Sequence, residues 1–387
     1  MDWVIIGGGT AGGYVASRLL DYGHSVTILE AGGCRLYDDN CDLASNIGEV
    51  MYNDEYTKSF NIGDKNVRMG SGLGGGSAVN GGYLVYESNP HLIEMGINPK
   101  TQDILKRVFP VSIKPAGEYA KKLGDNINSH PLSDNITNNP LSDNIICQTR
   151  DDYFYTLGDN RISSLNFLYN HINNNILKII TSCTVRKIEG NLIYTDDCTY
   201  DAKNIIISCG AGTPELLLRS GLPVNNVLNH VGLELKPLVD VGGGQIYYGL
   251  DDYNIKEKAG GRIQVLFYKK SIIIYHMKPS GYWIPTLSSR GELYYTGEML
   301  TKEDREELVE VANHIKSIIP CEDKIKDNYS FHMCSGSPTK KIGENIHIVD
   351  LSVLKMLPEG NTSWTAFLLA EQFIQDYVVN GRHVLQK

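Results

Sequence analysis

Residues 3–30 read WVIIGGGTAGGYVASRLLDYGHSVTILE, and this stretch decides the fold. An apolar run predicts a strand over residues 2–6, and a glycine-rich turn follows it. Apolar residues on one side of the next segment predict a helix that stops at Gly23, and a second apolar run predicts a strand over residues 25–30. A strand, a helix and a strand in this order form a β-α-β unit, the start of a doubly wound parallel sheet.

The turn inside this unit has the spacing Gly7-x-Gly9-x-x-Gly12. The first glycine makes the tight turn, the second lets the backbone approach a pyrophosphate, and the third lets helix and strand pack closely. Free N–H groups at the helix N-terminus favour an anion there. Glu30 ends the second strand, where an acidic residue receives ribose hydroxyls. The unit therefore predicts a dinucleotide site.

A second glycine-rich stretch, SGLGGGSAVNGG, occupies residues 71–82. Six glycines in twelve positions cost backbone entropy on ordering, so we expect the main chain to lie close to a ligand here. An NAD dehydrogenase would need only the first unit and a catalytic domain. An extended cofactor with a flat ring system, such as FAD, would touch both loops.

The composition sets limits on partners and location. The formal net charge is -9 and the pI about 5.6, which disfavours nucleic acid as a partner. No stretch reaches the roughly 20 apolar residues of a membrane span, and no secretory leader is recognisable, so the sequence predicts a cytoplasmic protein. The eight cysteines form no CxxC pair and no zinc spacing, which predicts reduced, mostly buried thiols and no metal site.

The rest of the chain alternates between two kinds of pattern. The apolar run of residues 176–188, followed by residues 192–194 and 204–209, predicts three short strands, and residues 214–220 predict a helix. Residues 245–297 are rich in strand patterns, and residues 124–146, which contain PLSDNI twice, predict a surface excursion. Further predicted elements are a helix over 301–319 capped by Thr301, a strand over 346–350 and a helix over 365–379.

Four stretches in this order resemble signatures of the glucose–methanol–choline (GMC) oxidoreductases, a family of FAD-dependent alcohol oxidases and dehydrogenases. They are RMGSGLGGGSAVNGG at 68–82, SCGAGTPELLLRSGL at 208–222, PTLSSRGELYY at 285–295 and IHIVDLSVLKMLPEGNTSWTAFLLAEQF at 346–373. The resemblance implies an α/β fold: a Rossmann-like FAD-binding domain (1–90, 150–235 and 330–387) with an inserted substrate domain (91–149 and 236–329) built on a mostly antiparallel sheet.

The resemblance also implies a set of residues around FAD. The ADP half would be held by Gly7, Gly9, Thr10, Ala11, Gly12, Glu30 and Val185. The pyrophosphate and flavin would lie along Gly74, Gly75, Ser77, Asn80 and Gly81, with Asp350 near the ribityl chain and Asn361, Thr362 and Thr365 beside the ring. Arg68 and Gly210 are expected to bind the cofactor as well. The family's covalent members use a histidine in the loop at 71–82; this loop has none, so we expect non-covalent FAD.

The catalytic pair implied by the resemblance is His332 and Asn361. Alcohol oxidation removes a hydride from carbon and a proton from the hydroxyl, and a neutral imidazole suits the proton transfer. The Asn361 amide would orient the forming alkoxide. Alternatively, Asn361 is only the N-cap of the last helix, and His332 is a structural histidine. Cys334, two residues beyond His332, is expected to be structural.

The chain departs from the family pattern at several points. The usual H-P-x-G-T reads HMCSGSPT at 332–339, the family's G-x-N-L-x-D-H reads GLELKPL at 232–238, and the chain is short, mainly in the capping region. The resemblance nonetheless implies an oxidoreductase that oxidises a small-molecule alcohol, with oxygen or another electron acceptor. The alternative is a structural flavoprotein of the same fold, which would be a virion component if the source is viral. A disulfide reductase or monooxygenase is disfavoured, because the second GxGxxG and the redox cysteine pair are missing.

Overall fold

The computed structural model describes residues 2–36, 47–62, 65–114, 148–149, 152–154, 156–157, 160–229, 231–235, 246–249, 264–268, 271–275, 282–290, 292–296, 321–324, 326–329, 332–358 and 361–379, together with scattered positions between 302 and 317. The helices are α1 Thr10–Asp21, α2 Ile47–Met51, α3 Asn89–Glu94, α4 Pro99–Val108, α5 Ser164–Tyr169, α6 Thr213–Arg219 and α7 Thr362–Ile374. Short 3-10 turns occupy Gly75–Ala78, Gly210–Gly212 and Leu351–Val353, and α7 continues as a π-helical turn, Gln375–Val379.

The described strands are short. In chain order they are β1 Trp3–Ile6, β2 Val26–Leu29, β3 Thr57–Ile62, β4 Lys65–Gly70, β5 Tyr83–Leu84, β6 Ser112–Lys114, β7 Gln148–Thr149, β8 Asp152–Phe154, β9 Thr156–Leu157, β10 Asn160–Arg161, β11 Leu177–Ile180, β12 Val185–Glu189, β13 Leu192–Thr195, β14 Thr199–Asp201, β15 Asn204–Ile207, β16 Val227–Leu228, β17 Val231–Leu235, β18 Ile246–Gly249, β19 Gln264–Tyr268, β20 Ser271–Tyr275, β21 Tyr282–Leu287, β22 Leu293–Thr296, β23 Lys326–Tyr329, β24 Cys334–Ser335, β25 Lys341–Ile342 and β26 Ile346–Ile348.

A parallel sheet forms the centre of the molecule. Its strand order is β11-β2-β1-β15-β26-β25, and only β25, at one edge, runs antiparallel to its neighbour. The strands β1 and β15 are apolar and almost fully buried because layers cover both faces of the sheet. This sheet confirms the predicted α/β fold with a parallel sheet.

A second large sheet has the order β24-β16-β21-β22-β3-β4. Its pairings are antiparallel except for the short contact between β22 and β3. The sheet combines strands from residues 57–70, 227–228, 282–296 and 334–335. It therefore draws on both of the predicted divisions of the chain, and the proposed domain boundaries stay a prediction.

Three helices pack together on one side of the parallel sheet. The central helix α1 packs against α5 and α7. Within this interface the fully buried Glu371 accepts a hydrogen bond from the Tyr14 hydroxyl (2.9 Å) and pairs with Arg18 (3.2 Å). A buried carboxylate needs such partners to offset its desolvation. The interface ties the first and last parts of the chain together.

Two local predictions differ from the structure. The apolar run 176–188 is split, because β11 joins the parallel sheet whereas β12 opens a separate antiparallel sheet, β12-β13-β14. The last helix begins at Thr362 rather than near residue 365. The repeat region 124–146 and the cap residue Thr301 lie outside the described residues. None of the described helices has the length and apolar character needed to cross a membrane.

Candidate functional site

The two glycine-rich loops of the sequence lie against each other. The Gly74 amide donates to the Gly8 carbonyl (2.8 Å), and the Ser77 amide donates to the Thr10 hydroxyl (3.0 Å). A Cβ on Gly75 would lie 2.8 Å from the Gly9 Cα. The first turn of α1 and the loop at 71–82 therefore form one continuous backbone surface.

These contacts explain part of the glycine content without a ligand. Gly74 and Gly75 both have positive φ, 85° and 48°, and the atoms that exclude a side chain there belong to the chain itself. The sequence alone attributes these glycines to a close ligand. The structure adds a second requirement, because a Cβ on Gly74 or Gly75 would collide with the chain itself. A Cβ on Gly9 would have the Gly75 Cα as its nearest neighbour, at 3.7 Å.

Glu30 lies at the end of β2 and is almost fully buried. Its carboxylate accepts hydrogen bonds from the amides of Gly8 (2.8 Å), Gly32 (2.8 Å) and Gly72 (3.2 Å). A carboxylate offers about four lone-pair sites, so these three amides leave about one for a further donor. Glu30 thus joins both glycine loops, and a ribose hydroxyl would share the carboxylate with them.

The segment before β12 adjoins the same end of the loops. The Ser182 and Cys183 amides donate to the carbonyls of Gly32 and Glu30, both at 2.9 Å. Val185, which begins β12, is half-buried two residues further on. The backbone at 182–185 therefore lies beside Glu30, and the role of Val185 toward adenine stays a prediction.

Asp350 follows β26 and is buried beside the turn after β15. Its carboxylate accepts from the Gly210 amide (2.9 Å), the Thr213 hydroxyl (2.6 Å) and the Ser352 amide (2.8 Å). Burial raises the pKa of Asp350, while these hydrogen bonds favour its ionised form and oppose the rise. Asp350 therefore holds the turn after β15 against the turn at 351–353.

Two long helices begin near the loops with their first amides uncapped by side chains. Neither α1, with Gly9 at the N-cap, nor α7, with Asn361 at the N-cap, has a side-chain capping hydrogen bond or an acidic residue in its first turn. The Asn80 side chain donates to the Ser363 hydroxyl (2.9 Å), which joins the second loop to the start of α7. Open helix N-termini favour anionic or electron-rich ligand atoms.

No protein-family model matches the chain. A GMC oxidoreductase family protein of Malassezia sympodialis, Mala s 12, is 39% identical over 99 aligned residues, and the match covers 22% of this chain and 16% of that protein. The match therefore covers only a small part of the length of that relative. It agrees with the resemblance found from the four signature stretches.

Solved structures match over nearly the whole chain. Pyridoxine 4-oxidase from Mesorbium loti aligns with a TM-score of 0.69 and 15% identity over 97% of this chain and 99% of its own. A new fungal aryl-alcohol oxidase aligns with a TM-score of 0.67 and 15% identity, also over 97% of this chain and 99% of its own. A formate oxidase variant of Aspergillus oryzae RIB40 was solved to study FAD modification. It aligns with a TM-score of 0.65 and 14% identity over 99% of this chain and 98% of its own.

The chain has the fold of the GMC oxidoreductases. The resemblance stated from sequence is thereby confirmed. At this level of identity the structural matches establish the fold alone. The roles of individual residues have to be argued from the geometry of this chain.

The proposed base of this GMC-fold chain, His332, lies two residues before β24 and is half-buried. Desolvation lowers the pKa of His332 to about 4, so the imidazole is neutral at neutral pH. The Cys334 thiol donates to the Met356 carbonyl (3.6 Å), which attaches the start of β24 to the segment leading into α7. Cys334 itself is buried, in keeping with a structural role.

Asn361 stands at the N-cap of α7, the position that a purely structural interpretation requires. Its side chain makes no capping hydrogen bond, however. The side chain of Thr365, expected beside the ring, is fully buried and donates to Glu87 (2.7 Å). Thr362, also expected there, is largely buried at the first position of the helix.

Arg68 and Ser77, two expected cofactor residues of the GMC-fold site, have protein partners. The Arg68 guanidinium contacts Asp54 (2.7 Å) and the Thr57 hydroxyl (3.1 Å), across the β3–β4 pair. Ser77 is fully buried, and its hydroxyl donates to the Gly74 carbonyl (2.7 Å). Ser77 thus shapes the loop from within, because its hydroxyl and its amide both bond to other parts of the chain.

The remaining expected residues lie on the same backbone surface. Gly7 has a φ of 94° and packs on Ser208 at the end of β15, and Gly12 packs on the Gly7 carbonyl, so neither has room for a side chain. Ala11 is buried in the first turn of α1, and Gly81 follows Asn80 at the end of the second loop.

Sequence reasoning missed two buried charged residues, of which Arg161 supports the second loop and Glu87 binds Thr365 of α7. Arg161 is 1% exposed, and its guanidinium donates to the carbonyls of Asn80 (2.7 Å) and Ala78. Glu87 is equally enclosed and accepts the hydrogen bond of Thr365. Arg161 lies 81 residues from Asn80 in the chain, and no local motif marks it.

Proposed function

We propose that this chain binds FAD non-covalently and oxidises a small-molecule alcohol. The observation that carries the proposal is the junction of the two glycine loops at the uncapped N-terminus of α1. A helix N-terminus favours a diphosphate, and the first turn of α1, which has no side-chain cap, supplies one directly beside the second loop.

The chain's residues fit an extended dinucleotide cofactor. Glu30 and the backbone at 182–185 would hold the adenosine end, and Thr10, Ala11, Gly74 and Gly75 would line the pyrophosphate. The uncapped start of α7 would meet the polar edge of the flavin. The chemistry that FAD supplies when bound is the acceptance of a hydride.

His332 and Asn361 would handle the substrate hydroxyl. The low pKa of His332 leaves its imidazole unprotonated and ready to accept the hydroxyl proton. Asn361, with its amide not engaged in capping, would hold the alkoxide that forms as the proton leaves. Oxygen or another acceptor would then take the electrons.

The proposal is tested by an absorbance spectrum of the purified protein, followed by anaerobic mixing with aliphatic, aryl and sugar alcohols, and with formate because a formate oxidase shares the fold. We expect the protein to show a flavin spectrum that bleaches with one class of alcohol. Denaturation without proteolysis should release the flavin from the protein. If formate alone bleached the flavin, the proposed substrate class would change from alcohols to another class. A flavin that no compound bleaches would favour a structural role, for instance in a virion, and absence of flavin would overturn the proposal.

A further inference from the structure

Two cysteines lie together at one end of the sheet β12-β13-β14. Cys183 is buried two residues before β12, whereas Cys198 is exposed in the turn between β13 and β14. Val185 pairs with Thr195 in the antiparallel register, so the chain that leads back from β12 to Cys183 runs beside this turn.

The two thiols share the same polar neighbours. The Thr195 hydroxyl lies 3.8 Å from the Cys198 sulfur and also interacts with the Cys183 thiol. The Tyr200 hydroxyl interacts with both thiols. Two sulfurs that both reach the same two hydroxyls are near neighbours.

The pair also adjoins the candidate cofactor site. The Cys183 amide donates to the Glu30 carbonyl (2.9 Å), and the preceding Ser182, held at a φ of 52°, donates to the Gly32 carbonyl (2.9 Å). A covalent bond from Cys183 to Cys198 would therefore tie an exposed turn to the backbone that borders Glu30.

We propose that Cys183 and Cys198 form a reversible disulfide when the protein meets hydrogen peroxide. The sulfur of Cys198, as the thiolate, attacks one peroxide oxygen; the O–O bond breaks, the sulfur becomes a sulfenic acid and the other oxygen leaves as water. The sulfur of Cys183 then displaces the sulfenic oxygen as a second water, and the S–S bond forms. The two thiols lose two electrons and two protons, and one peroxide is reduced to two waters.

The order of attack follows from the surroundings of the two sulfurs. Burial raises the pKa of the Cys183 thiol, so this residue stays protonated and shielded. Cys198 is exposed and meets the oxidant first. The pairing is independent of the proposed alcohol oxidation, because the peroxide is added to the protein.

Trypsin separates the two residues, since Cys183 falls in the peptide 179–186 and Cys198 in 188–203. The folded protein is treated with a few equivalents of hydrogen peroxide, blocked with an alkylating reagent and digested. We expect one joined peptide whose mass is the sum of the two less two hydrogens, and its loss after dithiothreitol. Cys198→Ser, an exposed and mild change, and Cys183→Ala should each abolish the joined peptide.

Cys34→Ser is the matched control, because Cys34 is also an exposed thiol. This variant should keep the joined peptide at the wild-type level. The proposal is overturned if both peptides of the treated wild type remain separately alkylated, or if Cys198 is converted to sulfinic acid while Cys183 is still alkylated.

Discussion

His332 is the residue on which the proposed chemistry depends. Replacing it with Ala should slow flavin reduction by the alcohol at least ~100-fold, since general acid–base catalysis contributes that much or more. Rapid-mixing absorbance measures the rate constant. His171, which pairs with Asp21 (3.0 Å), offers a matched histidine, and His171→Ala should leave the rate unchanged. An unchanged rate in His332→Ala would remove the residue from the mechanism.

The pH dependence of the same rate constant tests the environment of His332. Only the neutral imidazole accepts a proton, and desolvation places its pKa at about 4. The rate constant should therefore stay level from about pH 7 to 5 and fall as the pH drops through about 4. A fall centred near pH 6.5, the value of an exposed histidine, would contradict the desolvated setting.

Asn361 distinguishes a catalytic role from a capping role. A lost N-cap usually costs about 1 kcal/mol, but the Asn361 side chain makes no capping bond. We expect Asn361→Ala to change the free energy of unfolding little and to lower the rate of flavin reduction. Chemical denaturation and rapid mixing on one preparation measure both. A large loss of stability with an unchanged rate would assign Asn361 to capping.

At the scale of elements, the loop junction makes Gly75 irreplaceable. In Gly75→Ala the new Cβ would lie 2.8 Å from the Gly9 Cα, so one of the two loops must move. Gly190→Ala is the matched control, because Gly190 also has a positive φ (59°) but nothing within 4 Å of a Cβ. The control should lose about 1–2 kcal/mol from backbone strain.

Retention of flavin separates the two variants. Gly75→Ala should lose stability beyond its control and should lose bound flavin, measured by thermal unfolding and by the ratio of flavin to protein absorbance. If the two variants had equal stability and equal flavin content, the two loops would be able to move apart without loss of stability.

At the scale of the whole molecule, two desolvated histidines limit stability in acid. Desolvation lowers the pKa of His347, on the central sheet, to about 4, as it does for His332. The unfolded chain, with histidine pKa values near 6.5, binds more protons between these values. The free energy of unfolding should therefore fall as the pH is lowered from 6.5 to 4.

His347→Phe tests the contribution of the sheet histidine. His347 packs among Trp3, Phe373 and Tyr377, and its Nδ1 is buried without a hydrogen-bond partner. Phe suits this cluster and cannot be protonated, so the variant should lose less stability than the wild type between pH 7 and 4.5. The difference is about 3 kcal/mol at most for a shift of this size. Parallel curves for both proteins would contradict it.

The sequence by itself determined the parts whose cause is local. Apolar runs and the spacing of Gly7, Gly9 and Gly12 were enough to predict β1, α1 and β2, because hydrophobic period and glycine freedom act within a few residues. The signature stretches were enough for the fold family, now confirmed. The split of 176–188 into strands of two sheets was not predictable, since both halves have the same apolar pattern.

Only the tertiary structure decided how the candidate site is supported. Arg161 donates to the Asn80 carbonyl, which lies 81 residues away in the chain. The hydrogen bond between Gly210 and Asp350 spans 140 residues, and the bond between Thr365 and Glu87 spans 278 residues. The sequence marked Asp350 and Thr365 by resemblance as neighbours of a cofactor, whereas the structure binds their side chains to other parts of the chain. Such partners meet because folded layers bury polar groups that must then find hydrogen bonds, and no local pattern records which distant residue will supply them.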